Sequence, residues 1–122
     1  MNAKQHGWKR IISAGGNSVR GLRAAWHEPA FRQELYFVVV LLPWTPFLAR
    51  SWLEGVALVS LLALVLITEL LNTGIESVVD RVGLQWNELS GRAKDVASSA
   101  VFISLVLCGG VWFSAFVRWL WP

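Results

Sequence analysis

Three uncharged runs of apolar residues dominate the chain, at residues 35–49, 55–68 and 96–117. A membrane-spanning helix needs about 20 residues, and only the third run reaches that length alone. The first run carries Pro43 and Pro46 near its end, which predict a helix that kinks or frays there. The second run can span a membrane only if its helix continues into the polar positions that follow it.

The segments between the runs set the expected ends of the spans. Ser51 and Glu54 have the spacing of a capping box, with the serine as N-cap of the second span. The polar segment 83–91 contains a glycine at each end and separates the second span from the third. We therefore predict an all-α membrane protein whose residues 35–122 form a three-span domain. The predicted spans are residues 35–50, 54–80 and 93–120.

Residues 1–34 predict an amphipathic helical segment on the cytoplasmic membrane surface. Its apolar residues fall on two faces, separated by a break at Gly15-Gly16-Asn17. Basic residues surround both faces, which favours anionic headgroups as partners over packing against another part of the protein. The first face contains Trp8, Ile11 and Ile12, and the second contains Val19, Leu22 and Trp26. The basic positions are Lys4, Lys9, Arg10, Arg20, Arg23 and Arg32.

Composition and charge support a membrane protein and give it an orientation. The chain is 55% hydrophobic and has eight tryptophans, which is too apolar for an ordinary soluble domain. The net charge of +3 is not clustered as in a nucleic-acid-binding protein, and one cysteine excludes an internal disulfide. Three spans put nine Lys or Arg on the side of residues 1–34 and 80–95, and two on the other. The positive-inside rule places the nine in the cytoplasm.

Four polar side chains, Glu69, Asn72, Glu76 and Asp80, form one stripe on the second span. At 100° per residue they fall within an arc of roughly 80°. An acid in mid-span costs on the order of 2.5–3.5 kcal/mol, so the stripe requires a metal, a basic group or a proton. A salt bridge or hydrogen-bond ladder, an ion path and a boundary site for a soluble reactant and a lipid all remain possible. The uncharged run 55–68 favours the boundary site over a path.

The predicted cytoplasmic loop ELSGRAKD, residues 88–95, brings cations to the inner end of this stripe. Cations beside acids suit a phosphate and a divalent ion, and Mg²⁺ typically binds one or two carboxylates plus substrate phosphates. A solvated loop without a ligand is the alternative. The chain contains no Walker loop and no protein-kinase motif, so a phosphate site here lies outside those families.

Four segments resemble the bacterial integral-membrane diacylglycerol kinases in order and spacing: GLRAAW (21–26), EPAFRQE (28–34), ELLNTGIESVVDR (69–81) and ELSGRAKD (88–95). The resemblance implies a homotrimeric inner-membrane enzyme that transfers the ATP γ-phosphate to diacylglycerol, giving phosphatidic acid. Related three-span kinases use undecaprenol, so the acceptor stays open between the two lipids. A small oligomeric ion-coupled transporter is the alternative from another class, and the cations of 88–95 disfavour it.

The resemblance also implies roles for individual residues. Glu69 matches the general base that takes the proton of the lipid hydroxyl. Glu28 and Glu76 match the carboxylates that bind Mg²⁺ and position the ATP phosphates. The other implied nucleotide-binding residues are Arg10, Asn17, Ser18, Trp86, Asn87, Lys94 and Asp95. The implied lipid-binding residues are Arg10, Ser18, Arg23, Trp26, Ala30, Phe31, Arg32, Gln33, Glu34, Glu69, Asn72 and Ser98.

Overall fold

The computed structural model describes residues 6–122, and this part of the chain is helical apart from short connections, without a β-strand. The prediction of an all-α protein is therefore confirmed for these residues. Lys4, one of the basic positions counted above, lies outside them. The helices are α1 (Trp8–Trp26), α2 (Pro29–Leu41), α3 (Thr45–Leu48), α4 (Trp52–Val82) and α5 (Glu88–Leu120), and a 3₁₀ turn (Leu42–Trp44) joins α2 to α3.

The first predicted span is helical but interrupted. Helix α2 ends at Leu41, and the 3₁₀ turn and the four-residue α3 follow it. Pro43 and Pro46 have no backbone N–H to continue an α-helix, so the predicted kink is confirmed. Two helices of residues 6–122, α4 and α5, are long and apolar enough to cross a membrane. A membrane crossing by residues 35–50 stays a prediction.

Helix α4 begins where the capping signal predicts. The Ser51 hydroxyl accepts a hydrogen bond from the backbone N–H of Glu54 at 3.1 Å. The return bond of a capping box is different here, because Glu54 Oε2 accepts the N–H of Arg50 at 2.9 Å. The N-cap is therefore confirmed, and the Glu54 carboxylate contacts Arg50 and Arg118 instead of closing the capping box.

Helix α5 begins earlier than expected, and the prediction of a loop over residues 88–95 is wrong. The connection between α4 and α5 is only residues 83–87. Asn87 Oδ1 accepts the N–H groups of Leu89 and Ser90 at 2.9 and 3.1 Å, which caps the helix. Glu88 adds a negative charge to the first turn, where the helix dipole favours it. The cations of 88–95 therefore stand on a helix rather than on a loop.

The predicted break at Gly15-Gly16-Asn17 is also wrong, because α1 runs without interruption from Trp8 to Trp26. A glycine inside a helix costs roughly 1 kcal/mol relative to alanine, which weakens a helix without ending it. In one continuous helix the two predicted apolar faces become a single stripe within about 100° of arc. All six of its apolar side chains are exposed, from 42% at Trp26 to 73% at Ile11.

Helices α4 and α5 pack against each other along their length and form the core. Two polar contacts lie inside the pair: Trp112 Nε1 donates to the carbonyl oxygen of Leu58 at 3.1 Å, and the Thr68 and Ser104 hydroxyls are 2.9 Å apart. Polar groups buried in an apolar surrounding require such partners. The buried members of the core are Leu48, Leu58, Leu62, Val65, Cys108, Trp112 and Ala115.

At the end of the molecule that contains α3, Arg118 of α5 forms hydrogen bonds with the neighbouring helices. Its guanidinium group donates to both carboxylate oxygens of Glu54, at 3.0 and 2.7 Å, and to the carbonyl oxygen of Leu48 at 2.9 Å. The Trp44 ring meets the Trp119 ring edge to face at 5.7 Å. These contacts join α3, α4 and α5 at the end opposite the acidic stripe.

Candidate active site

The polar stripe of α4 runs from a buried end to an exposed end. Glu69 is 5% exposed and Asn72 8%, Glu76 is half-buried, and Asp80 is exposed. All four stand on one uninterrupted helix, so Glu69 and Asp80 lie about 16 Å apart along its axis. The stripe therefore leads from the surface of the molecule to a carboxyl group shielded from solvent.

Asn72 connects the buried Glu69 and the half-buried Glu76 of the stripe. Its Nδ2 donates to Glu76 Oε1 at 3.2 Å, and its amide also lies beside the Glu69 carboxyl group. Its Oδ1 is buried and has no hydrogen-bond partner in the described part of the chain. A buried acceptor without a partner is costly, so this oxygen is a point where a donor such as a hydroxyl group can bind.

Helix α2 supplies further acids to the buried end of the stripe. The Glu34 carboxyl group faces that of Glu69, and its Oε2 is buried without a partner among residues 6–122. Glu28 is the N-cap residue of α2 and is close enough to Glu69 to act on it electrostatically, as Glu76 also does. The structure thus places Glu28, Glu34 and Glu76 around Glu69. Helical periodicity alone aligns only the acids of α4, and only the family resemblance links Glu28 to Glu76.

The donor set of this cluster suits a divalent ion that arrives with phosphate. Residues 6–122 hold no group of three or more side chains close enough to bind a metal by themselves. Mg²⁺ usually takes only one or two carboxylates and completes its coordination with phosphate oxygens and water. Glu28 and Glu76 each act electrostatically on Glu69, and their binding of a metal stays a prediction.

The first turns of α5 bring a cation to the exposed end of the stripe. Lys94 Nζ lies 2.7 Å from Asp80 Oδ1, and both side chains are nearly half exposed. The charge of Glu76 also acts on this ammonium group. Arg92 pairs with Glu88 within α5, at 3.6 Å. Of the cations predicted to meet phosphate, Lys94 is therefore the one that contacts the stripe.

An apolar groove of about 470 Å³ lies between α1, α2 and α4. Leu66 and Leu70, which flank Glu69 on α4, line one wall of it. Three predicted lipid-binding residues, Arg23, Trp26 and Phe31, line the opposite walls. A groove of this volume and composition can hold part of a lipid chain next to the buried acid.

The remaining predicted site residues are not joined to the stripe. Ser18 donates to the carbonyl oxygen of Ala14 at 2.9 Å, and Asn17 accepts from the Arg20 guanidinium group. No hydrogen bond or ion pair within residues 6–122 connects any of them to the stripe. Among them, Arg32 is half-buried and the others are exposed. The exposed ones are Arg10, Asn17, Ser18, Ala30, Gln33, Trp86, Asn87, Asp95 and Ser98.

The family model and the relatives that match this chain all point to the same family. The family model described as prokaryotic diacylglycerol kinase matches residues 16–116. The diacylglycerol kinase of Escherichia coli K12 is 47% identical over 107 residues, which are 87% of this chain and 88% of that protein. Those of Haemophilus influenzae and Pseudomonas aeruginosa are each 43% identical, over 89% and 88% of this chain and 93% and 89% of their own lengths.

Proposed function

The chain belongs to the prokaryotic diacylglycerol kinase family, and from this premise we propose that it transfers the γ-phosphate of ATP to the hydroxyl group of diacylglycerol. The products are phosphatidic acid and ADP. The observation that carries this proposal is the buried Glu69 beside an apolar groove, at the inner end of a polar stripe that reaches the surface. A lipid hydroxyl and a water-soluble nucleotide can approach such a stripe from opposite ends.

Glu69 acts as the general base in the proposed reaction. It accepts the proton of the diacylglycerol hydroxyl as the oxygen attacks the γ-phosphorus and the bond to the β-phosphate oxygen breaks. A base in this position typically contributes 10²–10⁴-fold to the rate, as an order of magnitude. Asn72 supports it, because its amide lies beside the Glu69 carboxyl group and can hold that group in place.

The exposed end of the stripe binds the nucleotide. Glu28 and Glu76 would hold Mg²⁺ against the ATP phosphates, where the ion neutralises phosphate charge. Lys94 contacts a phosphate oxygen and stabilises the charge that develops during transfer. Its ammonium group already lies at this end of the stripe, within the electrostatic influence of Glu76. We assign Arg10, Asn17, Ser18, Trp86, Asn87 and Asp95 to the nucleotide as well.

We place the protein in the inner membrane with three spans and a cytoplasmic N-terminus. The continuous exposed apolar stripe of α1, bordered by basic residues, suits a helix that lies on an anionic membrane surface. Helices α4 and α5 have the length and hydropathy of spans, and the α2–α3 segment supplies the third in spite of its prolines. The distribution of Lys and Arg supports the cytoplasmic position of the active site.

The working enzyme is a homotrimer in which each active site uses more than one chain. One chain leaves many of its predicted site residues exposed and apart from Glu69, so a neighbouring chain is needed to complete the set. Two inactive variants, Glu76→Gln and Asp95→Asn, unfolded and reassembled together, should regain part of the activity. A mixture that stays inactive, with subunit exchange verified by crosslinking, would rule out sharing for this pair.

The lipid acceptor is tested by offering two lipids separately. Membranes containing the protein, with labelled ATP and Mg²⁺, should label phosphatidic acid when diacylglycerol is supplied. Undecaprenol should be labelled much more slowly, because every relative compared above has the name diacylglycerol kinase. Faster labelling of undecaprenol would change the substrate without changing the proposed chemistry, and labelling of neither lipid would contradict the proposed function.

A further inference from the structure

Asp80 joins the end of α4 to the beginning of α5. Its Oδ1 accepts from Lys94 Nζ at 2.7 Å, across the short connection 83–87. Among the ion pairs of residues 6–122, this is the one that connects the two helices at the exposed end of the stripe. Sequence position alone places Asp80 as the last member of that stripe and gives it no partner.

We propose that Asp80 is a positioning residue, which holds the Lys94 ammonium group where the phosphates of the nucleotide bind. This inference depends on the proposed role of Lys94 as a nucleotide contact. A lysine side chain is long and flexible, and an ammonium group has three donors. Asp80 occupies one donor, so the others remain available to phosphate oxygens while the side chain is held in place.

The position of Glu76 gives Asp80 a second effect on the same ammonium group. Glu76 lies one helical turn before Asp80 on the same face of α4, and its charge also acts on Lys94. If Asp80 loses its charge, Glu76 becomes the nearest anionic partner of Lys94. The ammonium group would then compete with Mg²⁺ for a carboxylate proposed to bind it. Asp80 thereby keeps Glu76 free for the metal.

This predicts a kinetic signature for Asp80→Asn that a purely structural role would not produce. The KM for MgATP should rise about threefold to tenfold, as the loss of one charge-assisted contact implies. The Mg²⁺ concentration for half-maximal rate should rise with it, whereas the KM for diacylglycerol should stay within about twofold. Asp80→Glu keeps the charge and should restore part of the MgATP affinity.

Glu88→Gln is the matched control. It also removes one carboxylate from an exposed ion pair near the start of α5, but its partner Arg92 is on the same helix. It should leave the KM for MgATP and the Mg²⁺ requirement unchanged. The proposal is overturned if Asp80→Asn behaves like Glu88→Gln, or if it lowers the KM for MgATP. The second result would make the ion pair a competitor of the nucleotide.

A double-mutant cycle separates this inference from the proposed function. Binding of a fluorescent ATP analogue with Mg²⁺ is measured for Lys94→Met, Asp80→Asn and the combined variant in detergent micelles. We expect Lys94→Met to weaken binding and the added Asp80→Asn to change nothing more, because the two residues act as a unit. Wild-type binding by Lys94→Met would contradict the nucleotide role of Lys94. Additive losses would keep that role and overturn the positioning role of Asp80.

Discussion

Helix α4 carries Glu54 in its first turn and Glu69 near its middle, and the surroundings of these two side chains differ. Glu54 has both carboxylate oxygens bonded, to the Arg118 guanidinium group and to the N–H of Arg50. Glu69 is more deeply buried, yet it lies among other acids rather than beside a cation. An acid whose bonds are already made stabilises a fold, whereas an acid in a poorly solvated site without a cation is suited to accept a proton from a ligand.

Unpaired oxygens mark the same contrast. Near Glu69 the buried Glu34 Oε2 and Asn72 Oδ1 lack partners in the described part of the chain. The region around Glu54 also has one unpaired oxygen, that of the Thr45 hydroxyl group, but the charged groups there are paired. The two glutamates therefore differ in their partners as well as in burial: Glu54 faces a guanidinium group, and Glu69 faces other acids and unpaired oxygens. This difference distinguishes the structural acid from the proposed catalytic one.

The largest expected effect separates the two glutamates directly. Glu69→Gln should lower kcat by about 10²–10⁴-fold, because the amide cannot accept the hydroxyl proton. Assembly of the proposed trimer and nucleotide binding should stay close to wild type. Glu54→Gln is the matched control and should keep most of the activity. Equal loss of kcat in both variants would remove the distinction between the two glutamates.

A smaller effect is expected for the proposed metal carboxylate. Glu76→Asp withdraws the carboxylate by one methylene, so the Mg²⁺ concentration for half-maximal rate should rise about tenfold. The KM for diacylglycerol should change less. The control is Glu88→Asp, the same shortening at an exposed position of α5. A Mg²⁺ titration that superimposes on the wild type would assign Glu76 a structural role through its bond with Asn72.

At the Glu54 end of α4, loss of the Arg118 contact is expected to change stability alone. Arg118→Met removes both bonds to Glu54 and the bond to the Leu48 carbonyl oxygen. Glu54 Oε2 then keeps only the N–H of Arg50, and the other two acceptors lose this donor. The midpoint of thermal unfolding in detergent should fall, while the KM values for MgATP and lipid stay as in the wild type. A change in either KM without a fall in the midpoint would extend the active site to this end.

The last prediction tests the orientation of the protein by thiol labelling, a readout that does not depend on activity. Cysteines are introduced at Trp86, which is 90% exposed, and at the exposed Arg50, in a Cys108→Ser background. With an impermeant thiol reagent on intact cells, the cysteine at position 50 should be labelled and the one at 86 protected. Opening the cells should expose position 86. The reverse pattern would put Glu69 nearer the side without ATP.

The helical stripe and the start of α4 were predictable because their signals are local. The period of α4 aligns its four polar residues, and the Ser51 cap needs only a neighbour three positions away. The polar composition of residues 88–95 predicts a loop, but the capping asparagine at 87 outweighs it and starts α5 earlier. The glycines of α1 similarly predict a break, although the residues on either side support one continuous helix.

The candidate site required tertiary structure. The contact between Glu34 and Glu69 and the Asp80–Lys94 pair join helices whose relative placement no local signal specifies. The groove beside Glu69 likewise exists only where three helices meet. The assignment of substrates to individual residues came from the family resemblance, since an acidic stripe alone does not distinguish a kinase from an ion path.

The central claim is that Glu69 removes the proton from the lipid hydroxyl, and acceptor acidity tests it most directly. The rate ratio of wild type to Glu69→Gln is measured with diacylglycerol and with an analogue fluorinated beside its hydroxyl group. A more acidic hydroxyl depends less on a base, so the ratio should fall severalfold with the analogue. An unchanged ratio would contradict the claim and leave Glu69 a role in binding or in structure.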